Sequence, residues 1–195
     1  MENPKVVFAF SGKRKCGKDF ITDKFLNSLS DGVAVIMRLA GPIKKQYAID
    51  HGLDYTKLLS TSSYKEKYRY DMIAWGEKVR NQTPTFFIDK EIETKNAGAF
   101  PVWVVSDVRR RSDLQVFRKR YGHRCISIRV QASEDTRRNR DWIFTPGVDD
   151  APSECDLDEE SSWDHVIDTT DSDDDTVQRL LETMRQTCRD KGVTL

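Results

Sequence analysis

An α/β fold in three layers, with helices on both faces of a five-stranded parallel sheet, is what this amino-acid sequence predicts. Short apolar runs alternate with segments of helical spacing along the chain, the order that parallel βαβ units produce. A glycine-rich turn separates the first apolar run from the first helical segment, so a strand feeds directly into a helix that packs on it. A length of 195 residues suits one domain with a continuous core.

Lys5 to Phe10 is a short apolar run closed by Ser11-Gly12, which reads as a buried strand. From Lys18 to Leu29, Phe20, Ile21, Phe25, Leu26 and Leu29 recur at helical spacing. Val33 to Met37 reads as a second buried strand, and Gly41-Pro42 opens a helix through Tyr47 and Ala48 that stops near Gly52. Tyr64 to Val79 is a further helical stretch, crowded with Lys65, Lys67, Arg69 and Lys78 and followed by Arg80. Pro101 to Ser106 predicts the third strand, Leu114 and Phe117 a helix after it, and Cys125 to Val130 the fourth strand. The last strand falls near His165 to Ile167 and the terminal helix at about Thr176 to Arg189. Between them, Thr145 to Trp163 is acidic and rich in turn residues, which predicts an ordered but irregular loop. No internal repeat is visible.

Composition narrows the function classes. Lys plus Arg number 32 and Asp plus Glu number 32, so no overall field attracts nucleic acid or an anionic membrane, and cationic chemistry must be local. No run approaches the ~18–20 apolar residues that a membrane helix needs, and Met1 to Lys5 leads into a strand rather than a signal segment. A cytosolic protein is expected, and the terminal Gly-Val-Thr-Leu is unlike a Ser-Lys-Leu peroxisomal address. Cys16, Cys125, Cys155 and Cys188 lie far apart with no histidine at zinc-ligand spacing, which predicts reduced thiols. His51, His123 and His165 are isolated and read as structural.

Gly12-Lys13-Arg14-Lys15-Cys16-Gly17-Lys18-Asp19 matches G-x-x-x-x-G-K, with Asp where the phosphate-loop pattern has Ser or Thr. The two glycines let successive N–H groups point at phosphate oxygens, and the following helix adds the positive end of its dipole. A P-loop NTPase that binds ATP along Gly12 to Asp19 follows. Lys18 is expected to reach the β and γ phosphates, while Lys13, Arg14 and Lys15 make the loop strongly cationic. Asp19 has three open roles: to bind Mg²⁺, to accept bonds from its waters, or to hold Lys13 or Arg14. Cys16 is either a thiol acidified by nearby cations or a small residue that fits.

Asp107 and the arginines 109–111 follow the third strand, at the sheet edge where open α/β folds bind ligands. Asp107 reads either as a carboxylate for Mg²⁺ waters or as an N-cap of the helix after it. Arg109 and Arg110, first after the strand, are better placed than Arg111. Arg129 lies in a strand meant for burial and so requires a partner, such as a bound anion. Arg137 and Arg140, three apart, suit one face of a lid over the γ phosphate, the alternative being a solvated helix face. A hydroxyl acceptor calls for a general base, whereas a phosphate acceptor is already anionic and needs its repulsion cancelled. This abundance of Arg and Lys points to a phosphate acceptor and a diphosphate product.

The run Phe10 to Phe20, its Asp19 included, resembles the loop of animal-type phosphomevalonate kinases. So do residues 40–44, 61–66, 75–77, 105–110 and 142–150, and the likeness runs from about Val6 to Ile167. The resemblance implies an adenylate-kinase-like domain over residues 1–195, with an acceptor-binding region at about 40–95 and an arginine lid at about 133–145. It implies Mg²⁺-dependent transfer of the ATP γ-phosphate to 5-phosphomevalonate, giving 5-diphosphomevalonate and ADP on the route to isoprenoids and sterols. By position, Lys13, Arg14, Lys18 and Asp19 belong to ATP and transfer, and Arg109, Arg110 and Arg129 to the acceptor phosphate. Lys44, Lys65, Arg69 and Arg80 are further acceptor-side candidates, and Arg137 and Arg140 belong to the lid. Thr169 and Thr170 fall near the adenine, where relatives more usually carry Asn-His. Asp19 and Asp107 are the candidate metal residues, and a monomer is the expected state. The competing readings are another small P-loop kinase acting on a nucleoside monophosphate or metabolite hydroxyl, a non-catalytic ATP sensor, and a nucleic-acid binder, which neutral charge disfavours.

Overall fold

A computed structural model describes residues 4–59, 63–170 and 174–195. Along the chain come β1 (Val6–Ser11), α1 (Lys18–Leu26), β2 (Ala34–Met37), α2 (Ala40–His51), α3 (Tyr55–Leu59), α4 (Ser63–Gln82) and α5 (Phe86–Thr94). There follow β3 (Val102–Val105), α6 (Arg111–Tyr121), β4 (Cys125–Gln131), α7 (Glu134–Asn139), α8 (Pro152–Cys155), β5 (His165–Asp168) and α9 (Asp174–Asp190). The described strands form one parallel sheet in the order β2-β3-β1-β4-β5, which is the predicted architecture.

The apolar run of β1 is buried on both faces because it is the middle strand. Val6 aligns with Val102 of β3, and Ser11 with Arg129 of β4. Alternation along the strand divides its side chains between two cores. Val6, Phe8 and Phe10 pack with Ile21 and Phe25 of α1 and Leu181, Met184 and Cys188 of α9. Val7 and Ala9 pack with Leu114 and Phe117 of α6 and Ile88 of α5. A third, smaller cluster of Tyr47, Ala48, Leu58 and Met72, with Trp75 against it, ties α2, α3 and α4 together beside the sheet.

Several boundaries differ from the sequence reading. α1 stops at Leu26 instead of Leu29 because Ser28 and Leu29 turn back onto the carbonyls of Phe25 and Leu26 with the shorter i to i−3 bonds. α3 and α5 were not foreseen. α3 begins where the Asp54 carboxylate accepts from the N–H groups of Thr56 and Lys57, an N-cap. The acidic loop is ordered as expected but holds α8, opened by Pro152 at its first turn. Of the stretches read as family-like, Thr61 and Ser62 lie outside the described residues. No described helix is long and apolar enough to cross a membrane. Cys16, Cys125, Cys155 and Cys188 are free thiols, and burial pushes Cys125 and Cys188 up to about 12.

Candidate active site

The loop between β1 and α1 has the backbone its glycines were read to permit. Gly12 and Gly17 take φ of 151° and 97°, the half of conformational space that side chains disfavour. A Cβ on Gly12 would lie 2.3 Å from the Val130 carbonyl oxygen and 2.6 Å from Cys16 Sγ, so the loop is folded tightly against β4. Cys16 is the small residue that fits there, buried. Lys18, also buried, folds its ammonium back over the loop and donates to the carbonyls of Gly12 and Lys13. Burial pushes its pKa below the ordinary 10.5, and Arg109 adds to that, while Cys16 and Asp19 oppose it. Asp19 is exposed in the first turn of α1.

Two cavities of about 500 Å³ each open on the two sides of this loop. Adjacent loop residues line different ones: Arg14 faces the first, and Lys13 the second. The first brings together Arg14, Lys44, Lys65, Arg69, Arg80, Arg109 and Arg110 with the carboxylates of Glu66, Glu77, Asp107 and Glu154 and an apolar wall from Leu39, Ile43, Met72, Ile73 and Val148. Burial pushes the pKa of Lys44 down, with Lys65, Arg109 and Arg69 adding to it; burial, then Arg69 and Arg14, do the same to Lys65. These cations therefore sit close enough to repel one another. The second cavity is lined by Lys13, Cys16, Arg129, Ser133, Arg137 and Thr170, among others. Arg129 is thus on the Lys13 side, apart from the acceptor group that the resemblance implies for it.

Acidic partners back these cations, and none of those partners was foreseen. Arg14 Nη1 meets Asp149 at 2.9 Å, Arg109 pairs with Glu154, and Arg110 pairs with Glu77. Arg80 Nε lies 3.3 Å from Asp113, both buried, and burial raises the Asp113 carboxyl despite that arginine. Asp158 bridges Lys13 at 2.7 Å and Arg129 at 2.9 Å, so the partner that Arg129 requires is within the chain, together with the Ser11 hydroxyl at 3.0 Å. The equal counts of acid and base were the only sequence signal of such pairing. Buried donors are nonetheless left over among the described residues: Arg109 Nε, Arg110 Nε and Nη1, and Arg137 Nε have no partner. Such donors are costly unless an acceptor completes them.

Asp107 does not cap the helix after it. Its two oxygens accept from the N–H groups of Leu39 and Ala40, at 2.7 and 3.0 Å, which places the carboxylate at the start of α2. For Mg²⁺, which takes one or two carboxylates plus phosphate and water oxygens, exposed Asp19 beside Lys18 fits better than Asp107, whose oxygens are already engaged. The lid arginines do not share a helix face, because α7 ends at Asn139 and Arg140 is its C-cap. Arg137 is buried over the Trp142 ring at 3.8 Å from its centroid. Arg140 reaches the carbonyl of Lys15 and both oxygens of Thr169. Thr169 is itself buried, its hydroxyl donating to the Cys16 carbonyl at 2.8 Å. It therefore buckles β5 to the loop, and of the threonine pair only Thr170 borders a cavity.

The model of one family, phosphomevalonate kinase, matches residues 10–123. A protein of Drosophila melanogaster named phosphomevalonate kinase is 39% identical over 183 residues, covering 92% of this chain and 96% of that one. The crystal structure of TT1252 from Thermus thermophilus superposes with a TM-score of 0.52 at 12% identity, covering 95% of this chain and 98% of that one, a likeness of fold alone.

Proposed function

The chain belongs to the phosphomevalonate kinase family, and we propose that its loop and the cavities beside it are where ATP meets 5-phosphomevalonate. The enzyme transfers the γ-phosphate of ATP to 5-phosphomevalonate, giving 5-diphosphomevalonate and ADP. The observation that carries the site assignment is the division of the loop, with Lys13 on one cavity and Arg14 on the other. The triphosphate lies along the amides of residues 12–19, its nucleoside toward Arg137 and Thr170, and the acceptor fills the first cavity. An acceptor phosphate oxygen attacks the γ phosphorus as the bond to the β–γ bridging oxygen breaks. That oxygen is already anionic, so the task of the protein is alignment and cancellation of charge. Lys18 leaves the loop carbonyls for the β and γ oxygens, while Arg109 and Arg110 offer their spare donors to the acceptor phosphate.

Among the described residues no aromatic ring lines the first cavity. Its mixture of cations and aliphatic wall suits a small branched acid with a phosphate at one end and a carboxylate at the other, rather than a nucleobase. Lys44, Lys65 and Arg69 then serve the second anion. Asp19 would hold Mg²⁺ directly or through water, and the ion would supply positive charge against the phosphate oxygens. We read the chain as one kinase domain working as a monomer in the cytosol. ADP release across phosphomevalonate, mevalonate, AMP, CMP and shikimate tests the acceptor: turnover confined to a nucleotide contradicts it. Lys18→Met is expected to lose turnover by about 10³-fold or more with the fold retained by circular dichroism, and a fully active variant contradicts the role of that side chain.

A further inference from the structure

The segment between α7 and β5 lies beyond residues 10–123 that the family model matches, yet its carboxylates rest on the loop. Asp149 is buried, and its Oδ2 accepts from Arg14 Nη1 at 2.9 Å and the Thr145 N–H at 2.8 Å, its Oδ1 from Trp142 Nε1 at 3.0 Å. Glu154 is buried too; Oε2 accepts from the Arg14 backbone N–H at 3.1 Å and Oε1 pairs with Arg109. One short stretch of chain thus grips the phosphate loop by a side chain and a main-chain amide, and grips the arginine that follows β3.

From this geometry we propose that Asp149 and Glu154 are positioning residues, a carboxylate clamp that fixes Arg14 and Arg109 relative to each other across the first cavity. The inference rests on the reading that transfer occurs at this loop. Arginine is a long side chain whose planar fork carries five donors. A carboxylate paired with the fork occupies part of it, holds its plane, and leaves the remaining donors for phosphate. Arg14 and Arg109 belong to elements far apart in sequence, and Glu154 touches both. Glu154 lines the first cavity yet is buried, because its two oxygens are taken up by the Arg14 N–H and by Arg109. Asp158, with a side chain 32% exposed between Lys13 and Arg129, is the contrasting case on the other side of the loop.

Glu154→Gln keeps the shape and removes the charge. In the full chain we expect kcat to fall about tenfold to a hundredfold, the range that misplacement by an ångström costs, while the KM for ATP changes less than about twofold. Glu154→Asp, with the charge retained on a shorter arm, is expected to lose less, about threefold to tenfold. In a double-mutant cycle, adding Glu154→Gln to Arg109→Met is expected to cost less than about twofold beyond Arg109→Met alone. Losses that multiply, or that follow the fall in melting temperature, overturn the clamp and leave a structural staple. A raised kcat, or a folded Glu154→Asp with parent kcat, overturns it as well. Lys18→Met measured alongside separates the two readings. If that variant turns over normally the site assignment fails, and if it is dead while the Glu154 variants match the parent, the clamp alone fails.

Discussion

The two cavities flanking the loop have the same volume but are built differently. The first depends on side chains from α2, α4, the turn after β3 and the acidic segment, with cations paired to carboxylates distant in sequence, of which Glu77 and Glu154 share its wall. The second lies against the ends of β4 and β5 and the loop backbone, with Lys13, Arg129 and Arg137 as its cations. Recognition in the first is therefore an electrostatic arrangement assembled over long sequence distances. In the second, strand ends and a glycine turn supply much of the wall, and a single partly exposed carboxylate, Asp158, bridges two of its cations, Lys13 and Arg129. The same chemical change should have different consequences on the two sides.

The sharpest contrast is a crossed pair of substitutions. Arg110→Met removes a buried guanidinium from the first cavity and is expected to lower kcat/KM for phosphomevalonate by about 10³-fold. Its effect on the KM for ATP should stay within about threefold. Arg137→Met removes the arginine stacked over Trp142 and should raise the KM for ATP about tenfold, leaving that for the acceptor nearly unchanged. Initial-rate kinetics with each substrate varied in turn check both, and equal effects on the two substrates would dissolve the distinction between the cavities.

A smaller effect comes from pH. The pKa values of Lys44 and Lys65 lie below the ordinary 10.5 in the free protein, and a bound anion favours the charged form and raises them. Acceptor binding is then coupled to proton uptake, and affinity falls as pH climbs from the lowered values toward 10.5. Lys18 carries the same sign for the nucleotide. Titration calorimetry at about pH 8 or above, where phosphate groups are already ionised, in buffers of different ionisation enthalpy should show proton uptake with phosphomevalonate and with a non-hydrolysable ATP analogue alike. Proton release with either ligand would reverse this reading.

What could be read directly from the sequence was local. The run VVFAFS is apolar at every position but the last because both faces are covered, and the glycine spacing after it is a backbone requirement met within eight residues. Pairing was not legible. Arg14 and Asp149 are separated by 135 positions, and Lys13 and Asp158 by 145; nothing in the composition of the acidic stretch says which base each acid meets. Arg80 is an acceptor-side candidate that does line the first cavity, but nothing in the sequence pairs it with Asp113 of α6. Arg137 and Arg140 were assigned one face from their spacing alone, but a helix of six residues ends before that rule applies. The resemblance puts Thr169 near the nucleotide, and its hydroxyl is spent on the loop. In each case the missing information was which elements the fold brings together.

The most direct test is a crystal structure of the full chain with a non-hydrolysable ATP analogue and 5-phosphomevalonate bound together. The expected result puts the γ phosphate between Lys13 and Arg14, Lys18 on its oxygens, the nucleoside toward Arg137 and Thr170, and the acceptor among Arg109, Arg110 and Lys44. A triphosphate lying away from residues 12–19, or both ligands in one cavity, would contradict it.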